Sequence, residues 1–177
     1  LAGATAYYYK AFSYNGANYS NGVVVSTVTN IAPPAPFTAA AISSSQIDLS
    51  WTKNAFDNNV LIASKLNNNS FGTPVNGTAY NVNDVLPGNG GTVIYIGPLN
   101  AFSHTGLGPN LNTYYYQAWS VDASNNNVYS NTYSTANAQT FCSSATIPYN
   151  EGFEYGGPIG CGTVLDANND YNLWMTY

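Results

Sequence analysis

Residues 112–121 read NTYYYQAWSV, and residues 5–14 read TAYYYKAFSY. Aligning Tyr7 with Tyr114 places Tyr8 on Tyr115, Tyr9 on Tyr116, Ala11 on Ala118, Phe12 on Trp119 and Ser13 on Ser120. Downstream of each copy, Tyr19-Ser20-Asn21 returns as Tyr129-Ser130-Asn131. A chain that repeats at about one domain length is a row of modules, each with its own core. At about 100–150 residues per domain, 177 residues hold one complete module and parts of its neighbours.

Period-two alternation dominates the pattern. Ile47, Leu49 and Trp51 fall on one face of 46–52, and Asp48 and Ser50 on the other. In the second copy Tyr114, Tyr116 and Ala118 share one face, and Tyr115 and Trp119 the opposite one; Tyr8 and Phe12 repeat that outer pair. Further strands are expected over 6–14, 22–28, 37–42, 59–66, 92–96, 101–105 and 128–135, with a short edge strand near Tyr80 and Val82. Asn15-Gly16 and the run PGNGG at 87–91 mark turns. No segment keeps a helical period beyond two turns, so the fold class is all-β and the expected architecture a β-sandwich. Pro33, Pro34 and Pro36 make 31–36 a stiff boundary. The expected organisation is therefore 1–30 as the last strands of a preceding module, 31–36 as linker, 37–140 as a complete sandwich and 141–177 as the start of another module. The chain opens with no initiator Met or leader pattern, and it reads as an internal piece of a longer polypeptide.

Charge narrows the partners. Only 6% of residues are charged, against about 25% in an average soluble protein. Arg is absent, and Lys occurs at Lys10, Lys53 and Lys65 alone. Three scattered lysines on a chain of net charge −5 cannot neutralise a run of phosphates, so no nucleic-acid partner is expected. No apolar run approaches the roughly 20 residues of a spanning helix, and no membrane insertion is expected. A surface rich in Asn, Tyr, Ser and Thr and poor in Lys suits an extracellular location. Cys142 and Cys161 could there persist as a disulfide, while two unpaired thiols fit the sequence equally well.

Trp51 on its strand, Leu107-x-Pro109 followed by Tyr114, the Pro-rich lead-in and the final strand pair together resemble fibronectin type III domains. The stretch 71–107 is similar to a variety found in large surface or secreted proteins that Gram-negative bacteria export by the gliding-associated (type IX) pathway. The resemblance covers 33–140, and 1–29 as the last two strands of a preceding copy. It implies a fibronectin type III-like (immunoglobulin-like) sandwich with a tyrosine corner. In 141–177, Pro148, Tyr149, Glu151, Phe153 and Glu154, then 166–170 and Trp174, resemble the opening of cleaved-adhesin or choice-of-anchor (MAM-like) jelly-roll modules.

Reactive chemistry finds few candidates. His104 is the only histidine, and no nucleophile-elbow pattern accompanies it, so a structural or solvated imidazole is expected. One His and two distant Cys do not form a zinc site. Asp48, Asp57, Asp84 and Asp122 fall on outward positions or loops, where solvation is a better account than glycosidic acid–base pairing. Asp166, Asn168, Asn169 and Asp170, with Glu151 or Glu154 across the sheet, offer hard oxygen ligands to calcium. The resemblance implies calcium in some relatives, and the same residues suit an Asx-rich turn. Tyr115, Trp119, Tyr8 and Phe12 form the candidate binding surface, since rings beside Asn amides suit glycan or protein contacts; cross-strand packing is the other reading.

These expectations converge on a non-catalytic extracellular spacer or display module of a large bacterial protein. Its partners are the neighbouring modules, with surface glycans or other cell-surface proteins as further candidates. Two alternatives stand beside it: an adhesin acting through the outer aromatics, and the accessory tail of an extracellular hydrolase whose catalytic domain lies elsewhere.

Overall fold

The computed structural model describes residues 5–143, 163–165 and 174–176. Twelve strands and no helix appear among them. β1 (Ala6–Ala11) and β2 (Val23–Val28) form a hairpin. Its turn is closed by Asn15, whose Oδ1 accepts from Ala17 N (3.0 Å) and Asn18 N (2.8 Å), while Gly16 takes a φ of 94°. The sandwich follows, with β3 (Phe37–Ala41), β4 (Gln46–Trp51) and β7 (Ala101–Thr105) in one sheet, ordered β3-β4-β7. The facing sheet runs β10-β8-β5-β6, from β5 (Asn59–Leu66), β6 (Thr92–Gly97), β8 (Thr113–Asp122) and β10 (Ser134–Gln139). β9 (Val128–Tyr129) also pairs with β8. β11 (Thr163–Leu165) pairs antiparallel with β12 (Trp174–Thr176). The expected all-β sandwich is thus present as a three-stranded sheet against a five-stranded one.

The interior is built on Ile47, Leu49 and Trp51 from β4, Val60 and Ile62 from β5, Tyr95 from β6 and Tyr116 and Ala118 from β8. Trp51 stacks obliquely on Tyr95, with ring centroids 5.3 Å apart. Tyr114 packs against the same cluster, so Trp51 and Tyr114 share one core. The Tyr114 hydroxyl accepts from Gly108 N at 2.9 Å, which is the tyrosine corner that the sequence resemblance implies. That bond pins the 106–112 turn to the start of β8.

Two local expectations need correction. The strand expected at 128–135 is two strands with a break. Ser130 Oγ accepts from Ser120 N (3.1 Å) and donates to Thr132 O (2.8 Å), which interrupts the ladder and moves the last strand to Ser134–Gln139. No strand forms around Tyr80 and Val82. There Asn81 N donates to Asp84 Oδ2 (2.7 Å) and Asn83 sits at a φ of 78°, so the chain turns. The segment after it reaches β6 through a single bridge, Val85 to Thr92.

Residues 67–91 fold over the outer face of the five-stranded sheet, where Leu86 joins Leu61, Ala63, Val93, Trp119, Val121 and Tyr129 in a second buried cluster, with Phe71, Tyr80 and Ile96 at its margin. Gly72 makes the fold-back possible. Its N donates to Gly90 O at 2.7 Å, and a Cβ there would lie 1.6 Å from Pro87 O. Lys65 Nζ closes the flap by donating to Ser70 O (2.8 Å) and Asn89 O (2.7 Å). The Pro-rich stretch 31–36 is likewise bonded to the sandwich. Ala35 N donates to Thr52 O (2.9 Å), Thr52 N donates to Pro36 O (3.1 Å), and Ile31 and Pro34 are buried.

Removing only the hydroxyl in Tyr114→Phe leaves Gly108 N without its acceptor. A loss of about 1–2 kcal/mol is expected, read from the denaturant midpoint at unchanged slope.

Candidate functional site

The aromatic stripe proposed from sequence exists twice, in two different environments. In the sandwich copy, Trp119 is 1% exposed, so it is not a surface residue. Alternation places it opposite Tyr116 as expected. The outer face it occupies is roofed by Leu86 and flanked by Leu61, to which Trp119 is the register partner. The Tyr133 ring lies 5.8 Å from the indole. Tyr115 is half-buried opposite Lys65. In the hairpin copy the corresponding side chains are open. Tyr8 is 74% and Phe12 53% exposed, and Lys10 Nζ lies 5.0 Å from the Phe12 ring centroid. The four residues nominated together are therefore separated: Trp119 is buried, Tyr115 half-buried, and Tyr8 and Phe12 are exposed.

A signal for the buried outer face was present in the sequence. Val60 to Ala63 and Val93 to Ile96 are unbroken apolar runs, and β5 is buried at five consecutive positions. Continuous runs mark strands covered on both faces, whereas alternation marks strands covered on one.

His104 lies on β7, its ring bracketed by Phe102, Tyr114 and Tyr116. Nδ1 is 3.2 Å from the Tyr116 hydroxyl. Burial lowers the imidazole pKa, and burial together with the adjacent Tyr114 raises that of the Tyr116 phenol. A phenol whose ionisation is suppressed is a poor nucleophile, and an imidazole that resists protonation is a weak base. The pair is a packing contact between the sheets with one hydrogen bond. Tyr129 behaves similarly: burial, with Tyr80 adjacent, pushes its phenol up to about 12. Its hydroxyl donates to Thr78 O at 2.8 Å, tying the flap to β9.

The outer face of the three-stranded sheet carries a shallow depression of about 300 Å³ lined by Thr38, Ala40, Asp48, Ser50, Ala101 and Ser103. Gln46 Nε2 donates to Asp48 Oδ1 at 2.8 Å, and bonds from Gln46 and Ser103 hold this carboxyl below its usual range. Of the other acids considered, Asp57 pairs with Lys53 at 2.8 Å, Asp84 receives Asn81 N, and Asp122 receives Ser124 Oγ at 2.6 Å. Each is engaged with a local partner on the surface. No cluster of three or more His, Cys, Asp or Glu with metal-binding geometry occurs among the described residues. Glu154, Asp166, Asn168 and Asp170, named for calcium, lie outside them, as does Cys161. Cys142 is disulfide-bonded.

No family model matches the chain, and no curated protein matches it. Solved structures do. The crystal structure of FN3tt is 15% identical, with a TM-score of 0.44, over 64% of this chain and 98% of that one. The FN5 domain of Drosophila Lar is 16% identical, with a TM-score of 0.39, over 63% of this chain and all of that one. Domains A168–A170 from titin are 11% identical, with a TM-score of 0.43, over 76% of this chain and 40% of that one. The chain's own strand order and tyrosine corner carry the fold assignment.

Trp119→Ala should therefore cost about 3–5 kcal/mol of stability, as deletion of a buried aromatic does. Tyr8→Ala should change it by no more than about 0.5 kcal/mol, as surface substitutions do. Thermal unfolding of the two variants separates these outcomes. For His104, the folded-state pKa lies below the unfolded value of about 6.5. The unfolded chain then binds more protons as pH falls through 6.5, so stability is full above that pH and declines below it. Denaturant midpoints at pH 8 and pH 5 should differ in the wild type, and the difference should shrink in His104→Asn. Asp48 titrates below that window.

Proposed function

We propose that this chain is a non-catalytic extracellular module that spaces or displays other domains of a large secreted or surface-attached bacterial protein. One observation carries the reading: the segment 5–29 reproduces the backbone bonding of 112–140, as expected for modules repeated in series. Ser20 N donates to Ser13 O (2.9 Å) and Ser13 N to Ser20 Oγ (3.0 Å). Ser130 N likewise donates to Ser120 O (2.9 Å), and Ser120 N to Ser130 Oγ (3.1 Å). A spacer also needs a firm joint, and stretch 31–36 supports one. Its Pro34 is buried and accepts a bond from Ser134 Oγ, and Asn54 Nδ2 donates to Ala32 O at 3.0 Å. The low charge and the engaged state of the described acids and of His104 fit a mechanical role.

The exposed rings of Tyr8 and Phe12 favour a second reading, an adhesin that takes glycans or protein surfaces on the hairpin. A glycan array and whole-cell binding assay with the 177-residue chain distinguish the two. The spacer reading expects signal at background. Binding above background that disappears in Tyr8→Ala/Phe12→Ala would overturn it in favour of the adhesin.

A further inference from the structure

The likeness between the hairpin and the last strands of the sandwich extends along their whole length. Thr29 N donates to Thr5 O (3.1 Å), and at the counterpart positions Thr140 N donates to Asn112 O (3.0 Å). The bridge between Tyr14 and Tyr19 matches the pairing of Val121 with Tyr129. Ala11 faces Val23 as Ala118 faces Ser134, and the ladders run in step from there. The β1–β2 hairpin is thus the geometric counterpart of β8–β10.

The difference lies on the far side of the first strand. β8 receives β5 there over eight residue pairs, from Asn59 opposite Val121 to Leu66 opposite Tyr114. β1 pairs with β2 alone among the described strands. Asn67 N donates to Thr113 O (2.7 Å) and Thr113 N to Asn67 Oδ1 (3.0 Å), so Thr113 bonds toward the β5 side. Alternate residues of an antiparallel strand bond to opposite neighbours. By equivalence, Ala6, Tyr8 and Lys10 turn their backbone groups to the open edge of β1. Both faces are open too. Tyr9 is 52% and Phe12 53% exposed, while their counterparts Tyr116 and Trp119 are each 1% exposed. A two-stranded hairpin with apolar rings on both faces is marginal alone, and its edge is a template for pairing.

We propose that the open edge of β1 docks an antiparallel strand of the β5 type, carried by a preceding sandwich module of the same polypeptide, in the register that sets Lys65 opposite Tyr115. The proposal rests on the module reading above. The strand's chemistry follows from the repeat. Tyr7, Tyr8, Tyr9, Ala11 and Ser13 are identical to their counterparts in β8, so a strand with an apolar run on both faces fits β1 as Val60 to Ala63 fit β8. A second β1 edge would instead bring Lys10 and tyrosines, without that apolar run.

The experiment extends the 177-residue chain at Leu1 with the β5 sequence NVLIASKL and a Gly/Ser linker of about six residues, which holds the strand at millimolar effective concentration. Antiparallel pairing places the end of that strand beside Tyr7, within the linker's reach. Amide hydrogen exchange at Tyr8 and Lys10 should slow by about tenfold or more relative to the unextended chain. A scrambled extension should leave it unchanged, and Tyr8→Pro should restore fast exchange at Lys10 without shifting the sandwich's denaturant midpoint. Unchanged exchange with the β5 extension, or equal slowing by the scrambled one, overturns the proposal. Slow exchange in the unextended chain that grows with protein concentration assigns the edge to a second copy and overturns it as well. Failure of the strand test with a silent glycan array leaves the spacer reading in place, whereas glycan binding sinks that reading whatever the exchange rates show.

Discussion

Burying the indole of Trp119 requires a second apolar layer outside the five-stranded sheet, and residues 67–91 supply it through Leu86, Phe71 and Tyr80. The rest of the sandwich is arranged around that double cover. β5 and β8 at the sheet centre are packed on both faces, so the sheet has an inner core against β4 and an outer core under the flap. Folding the flap back demands a backbone approach that only Gly72 permits, and holding it down uses the one lysine in reach, Lys65, as a bridge between two carbonyls. The Lys65 ammonium satisfies two flap carbonyls at once through charge-assisted hydrogen bonds.

The serine pairs show how a repeat can persist while side chains drift. In both copies a serine hydroxyl accepts the opposing serine's N–H, and the backbone completes the loop. This arrangement marks where the ladder breaks between the tight pair and the final strand. The connecting turns differ in length, yet the registers on either side agree. Environment, not local geometry, separates the copies: one strand has a neighbour on each side and cover on each face, and the other has β2 alone among the described strands.

The titratable groups follow the same division. His104, Tyr116 and Tyr129 are shifted by desolvation, each toward its neutral form. Groups placed for catalysis are usually set against each other, one pushed toward ionisation and its partner away from it. Here all three move toward neutrality, which is what packing alone produces. The described acids lie on the surface with hydrogen bonds or an ion pair nearby.

Most strand positions, the facing of Ile47, Leu49 and Trp51, the opposition of Tyr116 and Trp119, the Asn15-Gly16 turn and the corner at Tyr114 were readable from residue order. Each depends on backbone alternation or turn chemistry within a few residues. The repeat was readable for the same reason, since it compares two short stretches. The unbroken apolar runs of β5 and β6 signalled cover on both faces, but not which segment supplies it. Whether Trp119 meets solvent depends on Leu86 and Phe71, which reach it only because a 25-residue connection folds back at Gly72. The break at Ser130 likewise depends on a bond to Ser120 ten residues away. Alternation assigns a side chain to a face, but the burial of that face is a property of contacts between distant segments, and only the folded chain brings them together.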